Sequence, residues 1–425
     1  MKRISLCSLM LAVLLMRAFG GETLAVSETA PAATVPAKTL ETEEKTGEAQ
    51  KAGVKFKGEV FAWPDYALKA GATTDEIRQM AIRAMHDELA FQWTPETNIL
   101  YTKEAGAAKG KAFSFSSGTT YAGLPYTTAG QGLLHWLQYY DFETGVVSGI
   151  TSANCASFGN SCAASVMWGW SAVASSITWS TCATLTISRG CIPVGPYRLD
   201  ASITNLGNYT SDKVCAENGE DIMMQSYAAI LPADALVNTR NKGDHCIMAL
   251  YVDVACKDGK IDPDKSVLHY QDQGASFTKI DGVLYEGHIE KTITFAKLFD
   301  RHYLPFTCAE FLGTKAYTVP SVIFKGHSST VDEVLSGTLH SPYKLVTVTL
   351  TVSDKNGNEV ARKKTLVVRK DIESGNALDF SLSGVGISTT LRRKCTKGET
   401  YILSVSALDS TATAHENIVR VEFVF

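Results

Sequence analysis

The 425-residue chain has no surplus of either charge: 40 basic residues face 44 acidic ones, a net charge of −4. It therefore lacks the electrostatic footprint of a nucleic-acid binder. Past the N-terminus, no run is long and apolar enough to cross a bilayer. There is no Cys-x-x-Cys pair and no His-Glu-x-x-His, so a zinc site lacks its usual ligand spacing. Neither a Gly-x-Ser-x-Gly elbow nor a phosphate-binding glycine loop occurs. No internal repeat is evident. These absences call for no metal and no cofactor.

What is present begins with an export signature. MKRISLCSLMLAVLLMRAFGG carries two basic residues, a short apolar core and then small residues, the anatomy of a signal peptide over 1–25. An uncleaved anchor is the alternative. Residues 26–54 are rich in Ala, Thr, Glu, Lys and Pro and contain no aromatic, so they read as a disordered linker. The mature chain is then expected to be exported, to the periplasm, the cell surface or the medium, with no membrane span after cleavage.

Two folded segments are expected beyond the linker. In 55–317, the TTDEIRQMAIRAMHDELAFQW stretch has Thr73 or Thr74 as N-cap and apolar residues at helical spacing. YAGLPY is a turn, 163–175 reads as a buried helix, and from 245 the pattern turns to strands. In 318–425, KLVTVTLTVSDKNGNEVARKKTLVVRKD reads as a hairpin about Asn356-Gly357. Repeated short strands follow, with no helical stretch. That pattern predicts an immunoglobulin-like β-sandwich with its own core, able to fold alone.

The chemistry gathers around NCASFGNSCAASVMWGW, 154–170. Asn160 and Ser161 are good N-cap residues, and Cys162 falls in the first turn of a helix, where free N–H groups stabilise a thiolate. Cys155 is followed by a turn, which argues against it as nucleophile. The competing reading makes both cysteines disulfide halves. Ten cysteines less Cys7 leave nine, so one reactive thiol plus up to four bridges satisfies the count. A thiolate needs a base, and His245 opens a strand beside a loop; a capped surface histidine is the bland alternative. His245, Ile247, Ala249 and Tyr251 share one face of that strand, with the other face in the core. The group orienting the imidazole should lie on VLHYQDQG, where His269 and Gln271 share one face and Asp272 the other. Trp168, Trp170 and Trp179 could line a glycan groove, but their spacing favours core packing.

Together these residues resemble the NlpC-type cysteine peptidases, papain-like endopeptidases of peptidoglycan, in a divergent form. Tyr126-Thr-Thr-Ala-Gly130 resembles the family's tyrosine turn. Asn160-Ser-Cys-Ala-Ala resembles its cysteine motif with Ser161 in place of Asp. Leu231-Pro-Ala-Asp resembles the turn that precedes the histidine, Asp244-His245 the histidine itself, and Asp272-Gln273 the third catalytic position. The resemblance implies an α+β papain-like domain, with the cysteine helix packed on an antiparallel sheet. It implies Cys162 as nucleophile, His245 as base and Asp272 as orienting group, with Tyr126 and Ser161 toward the substrate. The substrate would be a peptidoglycan stem peptide cut between D-glutamate and the diamino acid. A silent adhesin or glycan-binding module with all cysteines bridged is the reading from another class. An acyltransferase is the rival within the same fold.

Overall fold

The structure is a computed structural model that describes residues 63–102, 113–207, 210–239, 244–280, 283–375, 377–385 and 387–425. The expected signal peptide and linker lie outside the described residues. The chain is α+β. Its first helix, α1 (Thr74–Ala90), starts where the capping residues dictate: the Thr73 side chain accepts from the Glu76 N–H, and Glu76 reaches back to the Thr73 N–H. Its buried face carries Ile77, Ala81, Ala84, Met85 and Leu89, and also Glu88.

A nine-stranded sheet forms the larger half. In chain order its strands are β1 (Gln92–Pro95), β2 (Tyr121–Ala122), β3 (Val146–Val147), β4 (Ile192–Pro193), β5 (Ala235–Asn238), β6 (His245–Asp253), β7 (Val267–Ile280), β8 (Val283–Thr294) and β9 (Leu304–Thr307). They lie in the order β3-β1-β2-β8-β7-β6-β5-β9-β4. The central pairs β8/β7, β7/β6 and β6/β5 are antiparallel. The second helix, α2 (Cys162–Ser171), packs between α1 and the centre of this sheet. Gly169 makes that closeness possible. A Cβ there would stand 2.7 Å from the Ala81 carbonyl oxygen and 2.8 Å from the Met248 Cε.

Residues 323–424 form two further antiparallel sheets. One has three strands, β10 (Ile323–Lys325), β11 (Thr338–His340) and β14 (Asp379–Ser381), ordered β10-β11-β14. The other has four, β12 (Leu345–Asp354), β13 (Glu359–Leu366), β15 (Thr400–Asp409) and β16 (Ala414–Val424), ordered β13-β12-β15-β16. The β12/β13 turn falls at Asp354–Asn358, with Gly357 at φ 86° supplying the left-handed residue. Three short helices, Val331–Ser336, Arg369–Glu373 and Ser388–Lys394, interrupt a segment whose sequence pattern suggested strands alone. Each is too short to present a 3.6-residue periodicity, so alternation dominates the pattern.

This C-terminal half is seated firmly on the larger one. Tyr343 donates its hydroxyl proton to the Val173 carbonyl at 3.4 Å, Ser410 to the Ser171 carbonyl at 2.5 Å, and the Tyr66 N–H bonds the Thr411 carbonyl at 2.9 Å. Lys344 reaches furthest. Its Nζ donates to Ser171 Oγ at 2.8 Å and lies 4.2 Å and 3.9 Å from the ring centres of Trp168 and Trp179.

Candidate active site

The site begins with a strap. The turn that carries Tyr126 runs beside the residues just ahead of Cys162. The Thr127 N–H bonds the Asn160 carbonyl at 3.0 Å, the Asn160 N–H bonds the Pro125 carbonyl at 2.9 Å, and the Gln131 N–H bonds the Gly159 carbonyl at 3.0 Å. Gly159, at φ 116°, is required here because a Cβ would stand 2.0 Å from the Pro125 carbonyl oxygen. Two segments far apart in sequence are thereby fixed together. The Tyr126 hydroxyl arrives 3.7 Å from the Cys162 sulfur and also accepts from the Cys162 backbone N–H.

Under the strap lies a buried carboxylate that the sequence analysis did not single out. Glu88 is fully buried and accepts 3.0 Å bonds from Asn160 Nδ2 on both oxygens, and a bond from Ser165 Oγ. It therefore ties α1 to the residue two before the cysteine and to the first turn of α2. Burial pushes the Glu88 carboxyl up to about 7, against the pull of Ser165, Asn160 and the Lys344 ammonium. A signal existed. The apolar positions 77, 81 and 84 of α1 continue at helical spacing to 88, and a carboxylate on an apolar stripe marks a buried partner.

Cys162 opens α2, with Ser161 as N-cap. Its thiol is held well below the ordinary cysteine value. The Cys182 thiol donating to it is the largest cause; burial opposes, and the hydrogen bond and charge of His245 add to the lowering. Cys155 is buried too, but it differs in its partners and in the direction of its shift. Its S–H faces the Leu100 and Ser152 carbonyls at 3.5 Å, and burial raises its pKa.

His245 begins β6, as its position after Asp244 suggested. Both faces of the strand's first half are covered, because Ile247 and Ala249 are as buried as Cys246 and Met248. The expected division into a core face and a cleft face therefore holds only for the second half. His245 Nε2 meets Asp272 Oδ2 at 2.8 Å, which leaves Nδ1 for the sulfur. Burial pulls the imidazole down, but Asp272 and the Cys162 thiolate push it up to about 9. The second Asp272 oxygen meets His288 Nδ1 at 2.7 Å. Burial works against the Asp272 charge, yet the two imidazoles hold its carboxyl well below the usual range. His288 is a member of this chain of groups that the sequence analysis missed.

A bulge decides which residue faces His245. On β6 and β7, His269 pairs with Tyr251, but the next pair is Tyr270 with Ala249, so Leu250 is passed over. Past the bulge Gln271 pairs with Met248, and Asp272 falls on the His245 face. The other two candidates point elsewhere. Gln271 Nε2 donates to the Ile82 carbonyl at 3.1 Å inside the core. His269 stacks on Tyr251 at 4.0 Å and bridges Asp253 and Glu290 at the surface.

All five residues read from the sequence, Tyr126, Ser161, Cys162, His245 and Asp272, are thus drawn together. A cleft of about 210 Å³ opens on the sulfur, lined by Tyr126, Ser161, Cys162, Trp179, Cys182 and Asp244 among others. Trp168 and Trp170 are core residues, whereas Trp179 lines this cleft. The cysteines correct one expectation. Cys155, Cys162, Cys182, Cys191, Cys215, Cys246, Cys308 and Cys395 carry free thiols, and of the described cysteines Cys256 is disulfide-bonded. The reading with every cysteine bridged is overturned: most are buried and pack as small apolar side chains. Comparison with protein-family models, with curated proteins and with solved structures gives no match.

Proposed function

We propose that the protein is an exported cysteine peptidase or amidase acting on peptidoglycan stem peptides, built on a papain-like domain followed by an immunoglobulin-like sandwich. The observation that carries this reading is the line Cys162, His245, Asp272: a lowered thiol at a helix start, an imidazole with its other nitrogen held by a buried carboxylate, and an open cleft. This is the constellation that nucleophilic acyl chemistry needs.

The steps follow from the charges. The Cys162 thiolate attacks the amide carbonyl carbon, and the developing oxyanion is met by the Cys162 N–H once the Tyr126 hydroxyl has swung off it. The His245 imidazolium gives its proton to the leaving amine. Water then attacks the acyl-sulfur bond, with neutral His245 as base, and the thiolate leaves. Asp272 holds the ring throughout. Tyr126 and Ser161 line the approach. If an amine rather than water ends the reaction, the same residues serve an acyl transfer.

Purified protein incubated with peptidoglycan should release stem-peptide fragments cut between D-glutamate and the diamino acid, and Cys162→Ala should release none. Equal release by the variant would overturn the reading. Thiol titration of the folded protein should also find one fast-reacting cysteine, an outcome a silent glycan-binding module would not give.

A further inference from the structure

Cys182 is the cleft residue that the peptidase chemistry leaves without a task. Its sulfur lies 3.9 Å from the Cys162 sulfur, both side chains line the same cleft, and both thiols are free. Cys182 sits on a single 3-10 turn, Cys182–Thr184, whereas Cys162 is fixed in α2. A disulfide needs a sulfur–sulfur distance of about 2.05 Å. Closing the remaining gap takes rotation of the two side chains and a shift of that turn. Other cysteines nearby do not compete, since Cys191 and Cys246 are almost wholly buried and do not line the cleft. Among the described residues no group of three or more His, Cys, Asp or Glu side chains is placed to hold a metal.

We propose that Cys162 and Cys182 form a reversible oxidation site, in which a hydroperoxide converts the pair to a disulfide and a dithiol restores it. The Cys162 thiolate attacks one oxygen of hydrogen peroxide, forming an S–O bond as the O–O bond breaks. The departing hydroxide takes up a proton as water, and the sulfur is left as a sulfenic acid. The Cys182 sulfur then attacks the Cys162 sulfur. The S–S bond forms, the S–O bond breaks, and hydroxide leaves with the Cys182 proton as a second water. Two thiols and one peroxide give one disulfide and two waters. Cys162, at the start of α2 and beside His245, is the attacking sulfur, and Cys182, 3.9 Å away on its own turn, is the resolving one and gives up its proton as it attacks. Capture by Cys182 also stops Cys162 short of sulfinic acid.

The proposal stands apart from the peptidase reading, because its test reads mass and not hydrolysis. Full-length protein is treated with hydrogen peroxide, and peptides are mapped without reduction. Wild type should show a cross-link of the two peptides, two mass units below the reduced pair. Dithiothreitol should reverse it and return iodoacetamide labelling of Cys162 from roughly tenfold suppression to its starting level. Cys182→Ser should instead carry sulfinic acid on Cys162, which dithiothreitol does not reverse. Sulfinic acid on Cys162 in wild type, or Cys182 cross-linked to another cysteine, overturns the proposal. If Cys182→Ser does not fold, the wild-type map decides alone.

Discussion

The ring of His245 and the carboxylate of Asp272 meet at 2.8 Å across neighbouring strands, and the Leu250 bulge is what brings them to one face. Asp272→Ala should therefore lower kcat/KM by about 100-fold or more, as loss of an orienting carboxylate does in comparable triads. Gln271→Ala should cost stability through its lost core bonds and leave the pH dependence of hydrolysis in place. A near-wild-type rate for Asp272→Ala would remove this carboxylate from the chemistry.

The reactive pair sets the pH window. Cys162 is held well below its ordinary value and His245 is pushed up to about 9, so thiolate and imidazolium coexist between the two limits. Alkylation by iodoacetamide should fall on Cys162 well before Cys155 and should already be fast near neutrality. Hydrolysis should decline above about 9, where the imidazolium loses the proton it gives the leaving group. Asp272→Asn should move that decline to lower pH, since the charge that holds the proton is gone. Peptide mapping and a rate profile from pH 4 to 10 read both limbs.

Glu88 makes a stability prediction of the opposite sign to the usual carboxylate. Its folded pKa is raised to about 7 from the model-peptide value of 4.5, so the folded state binds the extra proton between those limits. Its contribution is complete below about 4.5 and is lost as pH rises through 7. Glu88→Gln should thus gain on wild type between pH 5 and 8, by up to about 3 kcal/mol. Burial holds the Lys344 ammonium well below its usual range and the Glu88 charge opposes that, so the same comparison in a Lys344→Met background separates the carboxyl from the amine. A difference that does not vary with pH would contradict the raised carboxyl.

Lys344 fills the space between Trp168 and Trp179. Lys344→Ala should leave a cavity there and cost about 2–4 kcal/mol of stability. Lys344→Met keeps the volume without the buried charge and should stay within about 1.5 kcal/mol of wild type. Because Trp179 is a wall of the cleft, the alanine variant should lose more kcat/KM than the methionine variant. Thermal melts and tryptophan emission compare the three proteins.

Local rules were legible wherever one short stretch carried them. Thr73 and Glu76 announced the start of α1, Asn356-Gly357 the β12/β13 turn, and Asn160-Ser161 the helix behind Cys162. Pairing across strands was not legible. A straight register from the His269–Tyr251 pair would set Gln271 opposite Ala249, and no residue type announces that Leu250 is skipped. His288 lies on the hairpin partner of β7 and pairs with Asp272 between two irregularities of the β7/β8 ladder, so its approach depends on a second register. Cys182 has no motif around it; only the folded loop brings it to Cys162. Lys344, at the head of an alternating strand, reads as a solvated residue and is instead buried among tryptophans.

The reach of Lys344 has a consequence for the order in which the molecule is made. It follows Ser171, its hydrogen-bond partner at the end of the cysteine helix, by 173 residues. Synthesis at about 5–20 residues per second separates the two by some tens of seconds at the slower rates. Until Lys344 is made, Trp168 and Trp179 lack the side chain that packs between their rings. Thiol, base and carboxylate all precede Lys344 in the chain, so the cleft wall at Trp179 is braced only once the start of the C-terminal half is in place.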